Sequence, residues 1–386
     1  MRSRQFISRS HRRNHFFENF SQWDRLLNFS VGALSILGTL LVWAATKSWF
    51  ANQGLDPQYY LKRHVINLAI GIALAYGTTL IDYRLLRAYT PIVWGLAVLG
   101  LVAVLIPHIG STINGARAWI ALPGGFNIQP AELAKIGIIV GISMILAEKR
   151  DSDANPNDLD VLKALAIAAI PIVLILIQPD LGTVVIISAA VVAIIATSGA
   201  PTRWVVGLLL VAVVGGLVAV KSGVVSDYQV KRLQSFVDPT ADPQMSGYQL
   251  RQSRITIGSG GIIGKGLFSG PQTNGRFVPE QQTDFIFTVA GEELGFLGCG
   301  FILLCFGLFF ARAFTIAKRT NDLFGRLVCV GVIAWFAFQT FENIGMTMGL
   351  VPMTGVPLPF MSYGGSSMFA NMIAVGLLQN VHLRAR

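Results

Sequence analysis

Charged side chains are scarce in this chain. Asp, Glu, Lys and Arg make up 13% of its 386 residues, whereas hydrophobic residues make up 53%. The mean hydropathy is correspondingly high, at +0.59. Soluble domains carry roughly 25% charged residues. This composition therefore excludes an ordinary soluble domain, which covers its apolar core with a polar surface. We therefore expect an integral membrane protein.

Cysteine is scarce too. The chain has three cysteines, Cys299, Cys305 and Cys329, and all of them fall in apolar segments. They lack the paired spacing of a thiolate metal site. Such residues are expected to be small buried apolar side chains. The sequence therefore indicates neither redox chemistry nor a dedicated metal cage.

Acidic residues are fewer than basic ones, 20 against 30, which gives a formal net charge of +10. In a soluble protein this surplus would suggest nucleic acid as a partner. Here most Lys and Arg residues lie at the ends of apolar runs, as the positive-inside rule describes for membrane proteins. Nucleic acid is therefore not an expected partner.

Ten apolar stretches are long enough to cross about 30 Å of hydrocarbon, which predicts an all-α, polytopic integral membrane protein. They cover residues 28–46, 64–81, 90–107, 131–147, 162–178, 181–198, 204–220, 285–310, 327–350 and 366–383. A basic tail, residues 1–27, should hold the amino terminus in the cytoplasm. With ten spans the carboxyl terminus returns to that side, and residues 28–383 form a single membrane domain.

The connection between the seventh and eighth stretches, about 221–284, is far longer than adjacent helices need, and the topology places it outside the cytoplasm. Loops of that length in compact domains tend to be functional. Its polar residues include Arg251, Lys265, Glu280 and Asp284. Asp284 lies where the chain re-enters the membrane, and partial desolvation there should raise its pKa and make it a better base.

Other polar residues are also expected at the outer ends of the spans. Arg117 and Trp119 lie in the connection 109–129, and Glu132 and Lys135 follow in the first turns of the next helix. The i, i+3 spacing of the last two puts them on one helix face, where they can pair. Ionisable residues within a span suggest function by default, although a pair that only holds two helices together is an alternative.

Three further features of the outer face have competing interpretations. Asp180 begins the sixth span, where helix capping and a role in the site are both open. The glycine-rich run 258–266 lacks Walker spacing, so its backbone either packs closely against other chain or contacts a lipid phosphate. Ser362 and Tyr363 follow several prolines, which suits a re-entrant, non-helical segment.

Six of the segments resemble the SEDS family (shape, elongation, division and sporulation). They are residues 114–120 (NGARAWI), 129–135 (QPAELAK), 178–183 (QPDLGT), 279–287 (PEQQTDFIF), 291–295 (GEELG) and 355–366 (GVPLPFMSYGGS). The match covers nearly all the chain beyond the basic tail. The GVPLP segment is typical of the elongation members of the family, the RodA type, rather than of the division members.

The resemblance implies a ten-helix peptidoglycan glycosyltransferase of the bacterial cytoplasmic membrane. Such an enzyme polymerises lipid II on the outer side, releases undecaprenyl diphosphate and works with a class B penicillin-binding protein, the transpeptidase of the cell elongation machinery. Asp284 matches the essential acidic residue of the family, and Arg117 and Trp119 match functionally sensitive positions. This chain has Gln282 where His is common and Ala131 where Ser is common, which gives more weight to Asp284 as the proton acceptor.

The mechanism expected from these residues needs a base and positive charge. Asp284 would take the proton of the attacking sugar hydroxyl. Arg117, Lys135, Arg251 or Lys265 would offset the charge of the departing diphosphate. The remaining predicted residues are expected to contact substrate. They are Trp119, Glu132, Asp180, Glu280, Ser362 and Tyr363. No cofactor is certain, but a divalent cation, Mg²⁺ or Mn²⁺, could share the work of the cations.

Two other functions are open at this point. A transporter that flips lipid II would be compatible with ten helices, several prolines and the Glu132–Lys135 pair. It would need a path to the inner leaflet, yet the inner halves of the spans carry few ionisable residues, which favours the enzyme. A scaffold for the transpeptidase without chemistry of its own would leave the residues around Asp284 unexplained.

Overall fold

A computed structural model describes residues 22–113, 116–123, 125–148, 155–221, 227–238 and 245–384. The arginine-rich part of the predicted tail therefore lies outside the described residues. The first helix, α1, covers Arg25–Asn52 and so begins slightly before the predicted residue 28. Asp24 fixes this start, because its side chain accepts a hydrogen bond from the backbone N–H of Leu27 at 2.9 Å.

The secondary structure is almost entirely helical. After α1, the chain forms α2 (Tyr59–Leu80), α3 (Tyr83–Leu105), β1 (Gly110–Ile113), β2 (Ala116–Leu122), β3 (Phe126–Ile128), α4 (Pro130–Leu146), α5 (Asp158–Ile177), α6 (Leu181–Thr197), α7 (Thr202–Lys221), α8 (Asp227–Val237), α9 (Ser246–Ser259), α10 (Pro271–Asn274), α11 (Ile286–Arg319), α12 (Leu323–Met348) and α13 (Gly365–Arg384). Helices thus occupy all ten predicted apolar stretches, namely α1 to α7 and α11 to α13.

Within the described residues, five helical segments are each long and apolar enough to cross a bilayer. They are α1, α3, α5, α12 and the Gly295–Arg319 part of α11. Helix α6 and most of α7 are apolar but shorter. The prediction of an all-α, polytopic membrane protein is confirmed.

A small antiparallel sheet occupies the connection between α3 and α4. Its strand order is β1-β2-β3. Ser111 pairs with Trp119, and Ile120 pairs with Ile128. β1 and β3 have only four and three residues, and β2, with the sequence ARAWIAL, lacks the strict alternation of apolar and polar residues that identifies a strand. The sheet places Trp119 at the end of the helix bundle, next to the helices and connections that are described below.

The long connection between α7 and α11 is folded rather than open. It forms α8, α9 and α10, and α9 packs against α11 and α12. These helices, the sheet and the connection 349–364 together form one end of the molecule, which we call the site end.

The glycine-rich run 258–266 covers a break in α11 at Gly295, whose φ is 66°. Two N–H groups of the run donate to the carbonyls of Glu292 and Glu293, at 2.9 and 3.0 Å, and two of its carbonyls accept from amides just beyond the break, at 2.9 and 3.1 Å. A Cβ on Gly264 would lie 2.2 Å from the Glu293 carbonyl oxygen. The run therefore packs backbone against backbone, which favours close packing over a phosphate contact.

Helix α4 lies at the centre of the bundle and packs against α3, α5, α6 and α12. Around this core, α2 packs against α13, and α1 packs against α11. Helix α7 packs chiefly against α6, and many of its apolar side chains are exposed, as suits a helix that faces lipid. The core thus holds α4 and α12 in fixed positions beneath the site end.

Candidate functional site

A cavity of about 710 Å³ opens at the site end. Its wall is built from α2, the sheet, α8, the turn before α6, the loop before α11 and the connection between α12 and α13. Drug-sized ligands bind in clefts of roughly 300–1,000 Å³. The cavity is therefore large enough to enclose a polar substrate head group.

Five of the predicted site residues line this cavity. They are Trp119, Asp180, Glu280, Asp284 and Tyr363. They come from four separate parts of the sequence, and the packing of the sheet and three connections over the central helices brings them together.

The other six predicted residues do not line the cavity. Arg117, Arg251 and Lys265 are exposed elsewhere at the site end. Ser362 is buried behind the wall, and Glu132 and Lys135 are buried in α4. Direct contact of these six residues with a substrate stays a prediction.

Asp284 lies in the loop that precedes α11, outside the spanning segments. Loss of water around its carboxyl group, with a further contribution from Glu280, raises its pKa to about 7, although the nearby Arg232 guanidinium lowers it. A base with a pKa near the working pH is best matched to general base catalysis. Asp284 is thus partly deprotonated, and able to accept a proton, at neutral pH.

Asp284 and Arg232 converge on Gly355. A Cβ at Gly355 would lie 3.2 Å from Asp284 Oδ2 and 3.4 Å from Arg232 Nη1. Gly355 also has a φ of +77°, in the region that favours glycine. Both the backbone conformation and the space needed by the carboxylate therefore require glycine here.

Three successive carbonyls fix the backbone at Asp284. The Gln282 carbonyl accepts from the backbone N–H of Tyr363 at 2.9 Å. The Thr283 carbonyl accepts from Ser362 Oγ at 2.5 Å. The carbonyl of Asp284 accepts from Asn343 Nδ2 at 2.7 Å. Ser362 thus supports the site from behind the cavity wall.

Asp180 caps a helix and also lines the cavity. It is the N-cap of α6, because its Oδ1 accepts from the Thr183 backbone N–H at 3.0 Å. Its Oδ2 accepts from Thr183 Oγ1 at 2.8 Å and from Gln129 Nε2 at 3.0 Å. The same side chain lines the cavity, so capping holds this carboxylate at the wall.

Glu132 and Lys135 pair inside the bundle. Lys135 Nζ lies 3.0 Å from the Glu132 carboxylate, and the two side chains are only 1% and 4% exposed. The ammonium also donates to Gln339 Oε1 at 3.2 Å and lies 4.5 Å from the centre of the Trp335 ring. These contacts enclose the ammonium on several sides, which favours the interpretation that the pair holds α4 against α12.

Two cations of the cavity wall were absent from the sequence-based set. Arg63, on α2, donates to the Gly125 carbonyl at 2.7 Å and lies over the ring of Tyr59 at 4.6 Å. Arg232 lies on α8. Both line the cavity. The spacing of apolar residues in Asp227–Val237 could have indicated a short amphipathic helix, but no local signal directs either arginine to the cavity.

Comparisons with known proteins agree with this architecture. The family model "FTSW_RODA_SPOVE: Cell cycle protein" matches residues 24–386. "Stage V sporulation protein E" of Bacillus subtilis (strain 168) is 36% identical over 363 residues, which cover 94% of this chain and 98% of that protein. "Probable peptidoglycan glycosyltransferase FtsW" of Trichlorobacter lovleyi is 36% identical over 361 residues, which cover 94% of this chain and 93% of that protein.

A solved structure is similar as well. It is described as "Structural coordination of polymerization and crosslinking by a peptidoglycan synthase complex", and the likeness has a TM-score of 0.75 at 30% sequence identity. It covers 94% of this chain and 98% of the other. The family match spans nearly the whole chain, and the chain therefore belongs to the FtsW, RodA and SpoVE family, the SEDS proteins.

Proposed function

We propose that the chain is a peptidoglycan glycosyltransferase that polymerises lipid II into glycan strands and releases undecaprenyl diphosphate. The observation that carries this proposal is Asp284, a carboxyl group with a pKa of about 7 in the wall of a large cavity. The names of the relatives support the reaction class, since the FtsW relative is a probable peptidoglycan glycosyltransferase.

In the proposed reaction, a sugar hydroxyl oxygen of one substrate attacks the anomeric carbon of the other. Asp284 accepts the hydroxyl proton as the new carbon–oxygen bond forms, a contribution typically worth about 10² to 10⁴ in rate. The bond from the anomeric carbon to the diphosphate oxygen breaks, and the diphosphate leaves with the bonding electrons. Positive charge near the departing group stabilises this transition state.

Arg232 and Arg63 are the cations that we propose for this task, because both line the cavity. A guanidinium matches phosphate oxygens through two parallel N–H donors. Arg117, Arg251 and Lys265 are exposed and do not line the cavity. They are therefore better placed to attract anionic lipid than to touch the reacting diphosphate.

A divalent cation is also a proposal. Mg²⁺ is commonly bound by one or two carboxylates together with substrate phosphates. Asp284 and Glu280 could supply the carboxylates, since both line the cavity and the charge of Glu280 helps to raise the pKa of Asp284. Within the described residues there is no group of three or more His, Cys, Asp or Glu side chains suited to a metal. A bound cation would supply charge neutralisation at the diphosphate.

The membrane arrangement is proposed from the charge pattern. The site end would face the outside of the bacterial cytoplasmic membrane, both termini would be cytoplasmic, and residues 28–383 would form one membrane domain. The similarity to a complex that coordinates polymerization and crosslinking supports a class B penicillin-binding protein as the partner.

A role in cell elongation rests on a single segment, residues 355–359 (GVPLP). The relatives named above are a sporulation protein and an FtsW. We propose elongation for this chain on the resemblance of that segment alone, and the reaction itself does not depend on it.

A lipid II flippase is less well supported. Transport would require polar groups that continue from the cavity towards the opposite leaflet. In the described part of the chain, the ionisable pair of α4 is closed off by Gln339 and Trp335 and does not line the cavity. A scaffold without chemistry would leave the raised pKa of Asp284 unexplained.

The experiment that tests the proposal uses purified protein with its cognate class B partner in detergent micelles, where no bilayer separates two compartments. Lipid II is supplied with moenomycin, which blocks contaminating classical glycosyltransferases, and glycan chains are resolved on gels. We expect glycan to form. Its absence from a verified intact complex that nonetheless moves lipid II across liposome bilayers would favour the flippase.

A further inference from the structure

Two buried amide side chains of α12 hold the chain around the site. Gln339 and Asn343 lie one helical turn apart, and both are 0% exposed. Asn343 Nδ2 donates to two carbonyls, those of Asp284 and Val356, each at 2.7 Å. Gln339 Nε2 donates to the Pro357 carbonyl at 2.7 Å. One face of α12 therefore holds two backbone segments, that of Asp284 itself and that of residues 356–357.

The orientation of the Gln339 amide is determined by its neighbours. Its Oε1 accepts from Trp335 Nε1 at 2.6 Å and from Lys135 Nζ at 3.2 Å. Both neighbours can only donate, so the NH₂ group must face Pro357. The buried Glu132–Lys135 pair is thus linked to the Pro357 backbone through Gln339.

Irregular backbone at the edge of a membrane must find partners for its carbonyls. The connection between α12 and α13 contributes Thr354, Gly355 and Pro357 to the cavity wall. Asn343 ties this connection to the loop of Asp284 with one NH₂ group. Without that group, the carbonyls of Asp284 and Val356 lose a donor. Of the hydrogen bonds that join the two segments, those that Tyr363 and Ser362 donate to the Gln282 and Thr283 carbonyls then remain.

We propose that Asn343 and Gln339 are positioning residues, which hold the Asp284 loop and the Gly355 segment at a fixed separation. This inference rests on the proposed function, since it concerns the same carboxylate. Neither side chain lines the cavity, so neither is expected to bind substrate. Misplacement of a reacting group by about 1 Å can cost about 10² in rate, which sets the scale of the expected effect.

The chain supplies a matched control. Asn380, on α13, is 1% exposed and also donates through Nδ2 to two carbonyls, those of Thr78 and Ile81, at 2.6 and 2.5 Å. It caps the end of α2 away from the cavity. Asn343→Ala and Asn380→Ala therefore remove the same kind of side chain and the same number of donors, but only the first touches the site.

The test compares lipid II polymerisation by the intact complexes that carry each variant. We expect Asn343→Ala to lower kcat about 10- to 100-fold with KM changed less than about threefold, whereas Asn380→Ala keeps kcat. Asn343→Leu, which keeps a similar size and has no donor, should behave as Asn343→Ala does. If Asn343→Ala does not fold, Gln339→Glu replaces a single donor and should lower kcat by a smaller factor.

A second readout does not depend on activity. Hydrogen exchange of peptides that cover residues 280–288 and 355–363 should become faster in Asn343→Ala and stay unchanged in Asn380→Ala. Unchanged kcat and unchanged exchange in a folded Asn343→Ala protein would overturn the positioning role. If the wild-type complex makes no glycan while exchange still changes as expected, the proposed function fails and the positioning role stands.

Discussion

The side-chain amide of Asn343 lies 2.7 Å from the backbone carbonyl of Asp284, although 59 positions separate the two residues in the chain. This contact joins a buried face of α12 to a residue whose pKa of about 7 and place in the cavity wall suit a general base. The chemistry of the cavity therefore depends on packing beneath it as well as on the groups that line it.

The pH dependence of the reaction should follow Asp284. Its pKa is raised to about 7 by burial and by Glu280, and a base works only when deprotonated. We expect kcat/KM for lipid II polymerisation to rise between about pH 6 and pH 8 and then level off. A profile that is flat over this interval would argue against Asp284 as the base.

The same shift predicts a stability effect of opposite sign. The folded-state pKa lies above the ordinary value of 3.8, so the folded protein binds this proton more tightly than the unfolded chain does. Its contribution to stability is complete below pH about 4 and is lost as the pH rises through about 7. Asp284→Asn should remove this part of the pH dependence of Tm.

Gly355→Ala should damage the site directly. The new Cβ would lie 3.2 Å from Asp284 Oδ2, and the φ of +77° is strained for alanine by about 1 kcal/mol or more. We expect polymerisation to fall at least about tenfold. Gly32→Ala is the control, because nothing lies within 4 Å of a Cβ there. Equal activity of the two variants would contradict the crowding of Asp284.

Arg232→Ala and Arg251→Ala separate the cavity wall from the surface. Arg232 lines the cavity, and Arg251 is exposed outside it. Loss of a charge-assisted contact to the diphosphate should cost about 1.5 to 3 kcal/mol, which lowers kcat/KM about 10- to 100-fold for Arg232→Ala. Arg251→Ala should change it less than threefold. A larger loss of kcat/KM for Arg251→Ala than for Arg232→Ala would instead favour Arg251, the cation predicted from the sequence.

The Glu132–Lys135 pair should behave as a structural unit. Lys135→Met leaves the Glu132 carboxylate buried without its partner, which typically costs about 3 to 5 kcal/mol. Adding Glu132→Gln removes that charge, so we expect the double variant to regain much of the lost Tm in detergent. A well-folded double variant that has lost all activity would instead indicate a direct role in the reaction.

The spans could be predicted because their signal is local. A run of apolar residues needs no distant partner to identify it, and all ten runs are helical. The i, i+3 spacing of Glu132 and Lys135 likewise predicted their pairing. The position of Asp284 beside the start of α11 followed from the boundary of a single apolar run.

The site itself was only partly predictable because it depends on distant contacts. Nothing near Arg63 or Arg232 in sequence distinguishes them from Arg117 or Arg251, and only the fold directs the first two to the cavity. The strands of the sheet are short or lack the alternation of apolar and polar residues by which a strand is recognised. The carbonyl contacts of Asn343 join segments that no local pattern connects.

The most direct test of the central claim compares wild type with Asp284→Asn in lipid II polymerisation by the intact complex with its class B partner. The substitution keeps the size of the side chain and removes its ability to accept a proton as a carboxylate. We predict that the variant folds, binds its partner and loses glycan synthesis by about 10² or more. Polymerisation at the wild-type rate by the variant would contradict the assignment of Asp284 as the base.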